Sequence, residues 1–249
     1  MVDAPNLTSA ARHSNKKIAA GHAIVYSRRV KRNFHAVLFD LDGTLADTLA
    51  DLANAMNWAL TQLGCPPHPL DKYRYLVGDG ARQLCERALP TDKQVLLDET
   101  LRLMRGRYAE HWADETRLYP GIDSLILALT ERRYKLAVLS NKPDDFTKQV
   151  VAHYFPANPF HAVCGQRPGV PLKPDPAAAS EIIRQLNVPA TDWLYLGDTN
   201  TDMRTAIAAG MFPVGVLWGF RDREELVESG AQALVERPEQ VLSLLSGPV

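Results

Sequence analysis

The stretch Ala36-Val37-Leu38-Phe39-Asp40-Leu41-Asp42-Gly43-Thr44 decides how this chain is read. Four apolar residues stop abruptly at an acid, a second acid follows two positions later, and a glycine then permits a tight turn. An apolar run without polar alternation marks a strand buried on both faces. Similar runs recur at Leu136-Ala137-Val138-Leu139, Ala162-Val163-Cys164, Trp193-Leu194-Tyr195-Leu196 and Pro213-Val214-Gly215-Val216-Leu217. Between them, spacing near 3.6 predicts helices over 121–133, 143–153, 176–186, 202–209 and 223–229. Strands alternating with helices imply right-handed βαβ units, hence an α/β fold with a Rossmann-like parallel sheet covered on both faces.

The alternation has one gap. Between Thr48 and Thr116 no strand-like run occurs. Asp47 or Thr48 can cap a helix carrying Leu49, Leu52, Met56, Ala59, Leu60 and Leu63 on one face before Gly64 stops it. Thr91 and Asp92 can start a longer helix running to Trp112. A helical block inserted after the first strand is therefore predicted to lie over the sheet as a cap, with Trp58 and Trp112 in its core rather than on a substrate. The division that follows is a basic extension over 1–34, core over 35–48, helical cap over 49–116 and the rest of the core over 117–249.

Outside this frame the composition is that of a globular protein, 46% hydrophobic and 23% charged over 249 residues. The formal net charge of −1 conceals an asymmetry. Residues 1–34 hold seven Lys or Arg against Asp3, a balance of +6, so the remainder stands at −7. An acidic body weighs against nucleic-acid binding. The first 34 residues show no sustained period and lack an apolar signal core, and their basic, acid-poor composition suits a transit peptide or a solvated arm alike. The uncharged run 205–220 is short of the ~20 residues a membrane span needs and is broken by glycine and proline, so no membrane association is expected. Three scattered cysteines without a CxxC pattern indicate neither a disulfide framework nor a zinc site, which points to a reducing cytoplasm.

In open α/β sheets, ligands bind outside the carboxyl ends of the strands. Four polar groups stand there: Asp40-Leu41-Asp42-Gly43-Thr44, Ser140-Asn141-Lys142, Lys173-Pro174-Asp175 and Gly197-Asp198 with Asp202. Asp40, Asp42, Asp198 and Asp202 would converge, and like charges held close cannot all ionise without a cation. Oxygen-only donors select a hard ion such as Mg²⁺. Taken singly, each residue has a plainer reading. Ser140 and Asn141 can cap a helix starting at Pro143, Lys173 can be a solvated charge, and Asp202 can cap its own helix.

Together the four groups resemble the motifs of the haloacid dehalogenase superfamily, phosphatase branch, over about 34–245. The hydrophobic strand with DxDGT is met by residues 37–44, the Ser strand end by Ser140, the lysine by Lys173, and GDxxxD by Gly197, Asp198 and Asp202. The resemblance implies that Asp40 is a nucleophile forming an aspartyl-phosphate, that Asp42 is the general acid and base, and that Lys173 fixes the nucleophile. It also implies that Asp40, the Asp42 backbone, Asp198 and Asp202 hold Mg²⁺, while Thr44, Ser140 and Asn141 bind phosphoryl oxygens. Asp42 argues against the dehalogenases, which lack an aspartate there. The stretch Val77-Gly78-Asp79-Gly80-Ala81-Arg82-Gln83-Leu84 looks like the specificity loop of phosphoglycolate phosphatases, which implies that Gly80 and Arg82 face the substrate. Arg82 is as readily a solvated helix-start residue. The expected partner is a small phosphate ester, 2-phosphoglycolate first, with sugar phosphates, N-acetylmuramate 6-phosphate and a phosphomutase as alternatives and a non-catalytic binder least favoured. The chain is expected to act as a monomer or homodimer.

Overall fold

The computed structural model describes residues 33–245 together with the backbone of Ile24–Val25. Its centre is a seven-stranded sheet. Strand β1 is Ile24–Val25 and β2 is Ala36–Phe39, the apolar run ahead of Asp40. The short β3 (Ala46–Asp47) leads into helices α1 (Leu49–Gln62), α2 (Leu70–Leu76) and α3 (Ala81–Ala88), then a 3-10 turn over Thr91–Leu96 and α4 (Leu97–His111). Strand β4 (Arg117–Leu118) returns the chain to α5 (Ile122–Glu131), β5 (Lys135–Pro143), α6 (Asp144–Tyr154), β6 (Ala162–Gln166) and α7 (Ala177–Leu186). The chain then forms β7 (Trp193–Gly197), α8 (Asn200–Ala208), β8 (Phe212–Val216), α9 (Arg223–Glu228), β9 (Ala233–Val235) and a 3-10 turn over Pro238–Ser243.

The sheet order is β1-β9-β8-β7-β2-β5-β6, parallel throughout except for β1, which runs antiparallel to β9. After β2 the chain builds β5 and β6 on one side, then crosses to add β7, β8 and β9 on the other. The crevice beyond β2, between β5 and β7, is thus the topological switch point where such sheets bind ligands. Side chains alternate across β2. Val37 and Phe39 meet α5 and α6 through Leu125, Leu129 and Val150, whereas Ala36 and Leu38 meet α7 and α8 through Ala179, Ile182 and Ala206. All four β2 residues are fully buried, as the unbroken apolar run requires.

Helices α1 to α4 bury a cluster of their own around Met56, Leu60, Tyr73, Leu84, Met104 and Tyr108, joined by Phe146 and Phe220 from the sheet side. The chain crosses between sheet and helices twice, at β3 and β4, which pair antiparallel as Ala46↔Leu118 and Asp47↔Arg117. Of the basic extension expected over 1–34, residues 1–23 and 26–32 lie outside the described residues. Ile24–Val25 lie on the sheet edge against Leu234 and Ala233, and Phe34 is buried against Phe212 with ring centroids 5.4 Å apart.

Several local expectations need correction. The helix expected from Thr91 begins as a 3-10 turn and becomes α-helical only at Leu97, because no residue of 91–96 is buried and no apolar face holds the wider helix. Thr48 stands at the N-cap of α1 but makes no capping bond, since its hydroxyl is turned to Asp42. Asp47 accepts instead from the Leu49 backbone. No helix among the described residues is long and apolar enough to cross a membrane.

Candidate active site

Asp40, Lys173, Asp198 and Asp202, singled out from separate parts of the sequence, meet beyond the carboxyl end of β2. Asp40 follows β2, its amide donating to the Leu196 carbonyl, and the residue is only 6% exposed. Lys173, on the loop before α7, donates from Nζ to Asp40 Oδ1 at 2.8 Å, to Asp202 Oδ1 at 2.7 Å and to the Leu139 carbonyl at 3.1 Å. Asp198, directly past β7, accepts from the Phe220 amide at 2.8 Å and from the Thr44 hydroxyl at 3.2 Å. Asp40, Asp198 and Asp202 each offer a carboxylate oxygen within 4.8 Å of the others.

The turn that brings these groups together has no room to spare. Gly43 has φ +90°, and a Cβ there would sit 2.3 Å from Asp198 Oδ2, so glycine is required by both backbone and space.

Electrostatically the cluster carries too much negative charge. Burial, followed by the charge of Asp202, raises the Asp40 carboxyl well above its usual range against the pull of Lys173. Asp198 is pushed up to about 7 by burial and by Asp202, although Phe220, Arg221 and Thr44 favour its charged form. Lys173 is held well above the ordinary lysine range, the charges of Asp202 and Asp40 outweighing its desolvation. One internal lysine faces three buried carboxylates. A set of oxygen donors with surplus negative charge fits a hard divalent cation.

Asp202 has two oxygens and both are committed. Oδ2 closes a capping box with Thr199 at the start of α8, accepting from its amide at 3.1 Å and its hydroxyl at 2.7 Å. Oδ1 takes Lys173 and the Tyr195 hydroxyl. The helix-cap and site readings of this residue therefore both apply, one through each oxygen.

Other expected binders point elsewhere. The Thr44 hydroxyl serves Asp198, and Thr44 is wholly buried. Asn141 is spent as a brace, donating to the Gly78 and Lys173 carbonyls and accepting from the Lys173 amide. Arg82 turns outward to Asp98, where both side chains are exposed. Gly80 does face the crevice: at φ +92° it opens α3, and a Cβ there would lie 3.3 Å from the Asn141 carbonyl. The Ser140 oxygen accepts from the Lys142 amide, and its hydroxyl proton has no acceptor among the described residues. Neither Trp58 nor Trp112 lines the cavity.

The cavity has Asp40, Asp42, Ser140 and Asn141 at one end and the helical insert above. Two of its residues carried no role in the sequence reading. Lys142 is buried and donates from Nζ to Asp42 Oδ1 at 2.9 Å and Oδ2 at 3.2 Å, while Thr48 donates to Asp42 Oδ1 at 2.8 Å. Tyr108 of α4 lies with its ring 4.6 Å from Lys142 Nζ, and its buried hydroxyl finds no acceptor for its proton among the described residues. A signal for Lys142 existed: it directly follows the apolar run 136–139 and Ser140-Asn141, where a solvated lysine has no outlet. Tyr108 had none, since an aromatic residue on an amphipathic helix reads as core.

The insert is drawn down onto the sheet by polar contacts. Arg74 donates to the Gly219 and Phe220 carbonyls, Arg221 to the Val77 carbonyl, and Thr201 to Asp79. Residues 37–216 match the family model for haloacid dehalogenase-like hydrolases. The chain belongs to that family. Among curated relatives, a phosphoglycolate phosphatase of Pseudomonas putida is 34% identical over 190 residues, covering 74% of this chain and 70% of the relative. One from Colwellia psychrerythraea is 34% identical over 205 residues, 79% of this chain and 90% of the relative. A solved structure from Lactobacillus delbrueckii subsp. bulgaricus, assigned by name to phosphoglycolate phosphatases, superposes with a TM-score of 0.81 at 30% identity, covering 86% of this chain and 99% of its own.

Proposed function

We propose that this haloacid dehalogenase-like hydrolase cleaves a small phosphate monoester, with 2-phosphoglycolate as the substrate. The observation that carries the reading is the pairing of Asp40, fixed by Lys173 at the cavity floor, with Asp42 two residues away and held by a separate lysine. The relatives named phosphoglycolate phosphatase support the choice of ester.

In the reaction, a carboxylate oxygen of Asp40 attacks phosphorus and the bond to the alcohol oxygen breaks, leaving an aspartyl-phosphate. Asp42 gives the departing alkoxide a proton and then takes one from water, whose oxygen attacks the same phosphorus and frees Asp40 and inorganic phosphate. Lys173 holds Asp40 in one rotamer. The Ser140 hydroxyl is available to donate to a phosphoryl oxygen. The closed insert keeps bulk water from the intermediate. Asp40, Asp198 and the Asp42 backbone, with Asp202 beside them, would hold Mg²⁺, which when bound neutralises phosphoryl charge as a Lewis acid. On this reading the enzyme is a cytoplasmic monomer or homodimer, and its three free cysteines accord with a reducing compartment.

Phosphate release from purified protein over a panel of esters tests this. 2-Phosphoglycolate should lead the panel, EDTA should abolish turnover and Mg²⁺ restore it, and Asp40→Asn should remove it. Conversion of glucose 1-phosphate to glucose 6-phosphate without phosphate release would identify a mutase instead.

A further inference from the structure

We infer that Lys142 and Tyr108 form a carboxylate-reading subsite, so that the enzyme selects phosphate esters whose leaving group is a short hydroxy acid. The inference rests on the phosphomonoester reading above and assigns the end of the substrate remote from phosphorus.

Three observations converge on it. First, the buried Tyr108 hydroxyl finds no acceptor for its proton among the described residues, and its residue lines the cavity and is 2% exposed. Burying a hydroxyl unpaired is costly, and such a group is accounted for when a ligand supplies the acceptor. Second, Lys142 has three N–H donors; it is bound to both oxygens of Asp42, and its ammonium also lies beside Tyr108, which can only accept from it and so keeps its own proton to donate. The ammonium can therefore serve a second anion from within the cavity. Third, much of the remaining lining is apolar: Leu52, Leu84, Met104, Pro143 and Phe146. Sugar hydroxyls buried against such a wall would go unpaired, whereas a two-carbon acid needs only one cation and one hydroxyl donor. Arg105, one turn before Tyr108, also lines the cavity, its charge offset by Asp145 at 3.7 Å.

The test compares 2-phosphoglycolate with 2-hydroxyethyl phosphate, which has the same length and no carboxylate. Binding is measured by calorimetry with Mg²⁺ in an Asp40→Asn background, so that it is read apart from turnover. The Asp40→Asn protein should prefer 2-phosphoglycolate, and adding Tyr108→Phe should cut that preference about 10-fold or more, the size expected for losing a hydrogen bond to a charged group. Tyr108→Phe keeps the ring that packs under Lys142, and Lys142→Met is the second variant. If the acid and the alcohol bind equally well, or if Tyr108→Phe weakens both by the same factor, the subsite is overturned and Tyr108 only packs. Lack of phosphate release by the unmodified protein would overturn the hydrolase reading instead, and the binding ratio would still decide this one.

Discussion

Lys173 Nζ is the only cation hydrogen-bonded to the Asp40, Asp198 and Asp202 cluster among the described residues, reaching Asp40 and Asp202 at once. Removing it leaves two buried carboxylates without their counter-charge, a change that costs about 3–5 kcal/mol when one partner of a buried pair is lost. Lys173→Met should therefore lower kcat by at least ~10²-fold, the scale of one lost charge-stabilising donor. It should also lower the thermal midpoint at pH 8 in EDTA; unchanged melting there would contradict the charge balance. Gly43→Ala tests the geometry separately: the added Cβ meets Asp198 at 2.3 Å, so Mg²⁺ affinity by titration should fall more than the melting temperature does. At this scale the sequence was legible where a residue type has one chemical use. Aspartates at strand ends are such residues. Thr44, Asn141 and Arg82 are not, because a hydroxyl, an amide or an exposed guanidinium takes whichever partner packing brings, here Asp198, the Gly78 and Lys173 backbone, and Asp98.

The chain passes between sheet and helical insert through two two-residue strands, β3 and β4, which one buried carboxylate ties together. Asp51, in the first turn of α1, accepts from the Glu115 amide, the Thr116 amide and the Thr116 hydroxyl, the last two at 2.8 and 2.7 Å. It thereby clamps the outgoing crossing to the returning one. Asp51→Ala strips several buried donors of their acceptor and should destabilise the protein by roughly 2–4 kcal/mol. In hydrogen exchange the amides of 115–118 should lose protection first, and uniform loss across the sheet would show that the clamp is not local. These elements were hidden from pattern reading for a physical reason. Two-residue strands such as Ala46–Asp47 and Arg117–Leu118 carry no detectable period, and β9, three residues long, takes its strand conformation from pairing with β8. The long buried strands and the amphipathic helices were legible because burial imposes period and composition along the whole element.

For the molecule as a whole, the concentration of acid beneath the insert makes stability depend jointly on pH and divalent metal. Asp198 titrates near 7 in the folded protein, pushed up chiefly by burial, and Asp40 is raised in the same direction, whereas in the unfolded chain both release their protons near 4. Between roughly pH 4 and 7 the native state thus binds more protons than the unfolded state, and unfolding free energy falls as pH rises. The contribution of these two groups is intact below the unfolded value and is lost on passing through the folded one. For Asp198 alone the shift corresponds to on the order of 4 kcal/mol, equivalent to roughly 10 °C in a chain of this size. A bound divalent ion supplies the missing positive charge and replaces the protons, so its stabilising effect must grow as they leave. In EDTA the melting temperature should drop from pH 5 to pH 8 relative to the same protein in millimolar Mg²⁺, and the Mg²⁺-induced increment should be several-fold larger at pH 8. Asp198→Asn, which removes the main titrating group, should flatten the EDTA profile. Equal increments at both pH values would mean that the carboxylates are neutralised from within, and the case for a metal at this site would fail with them.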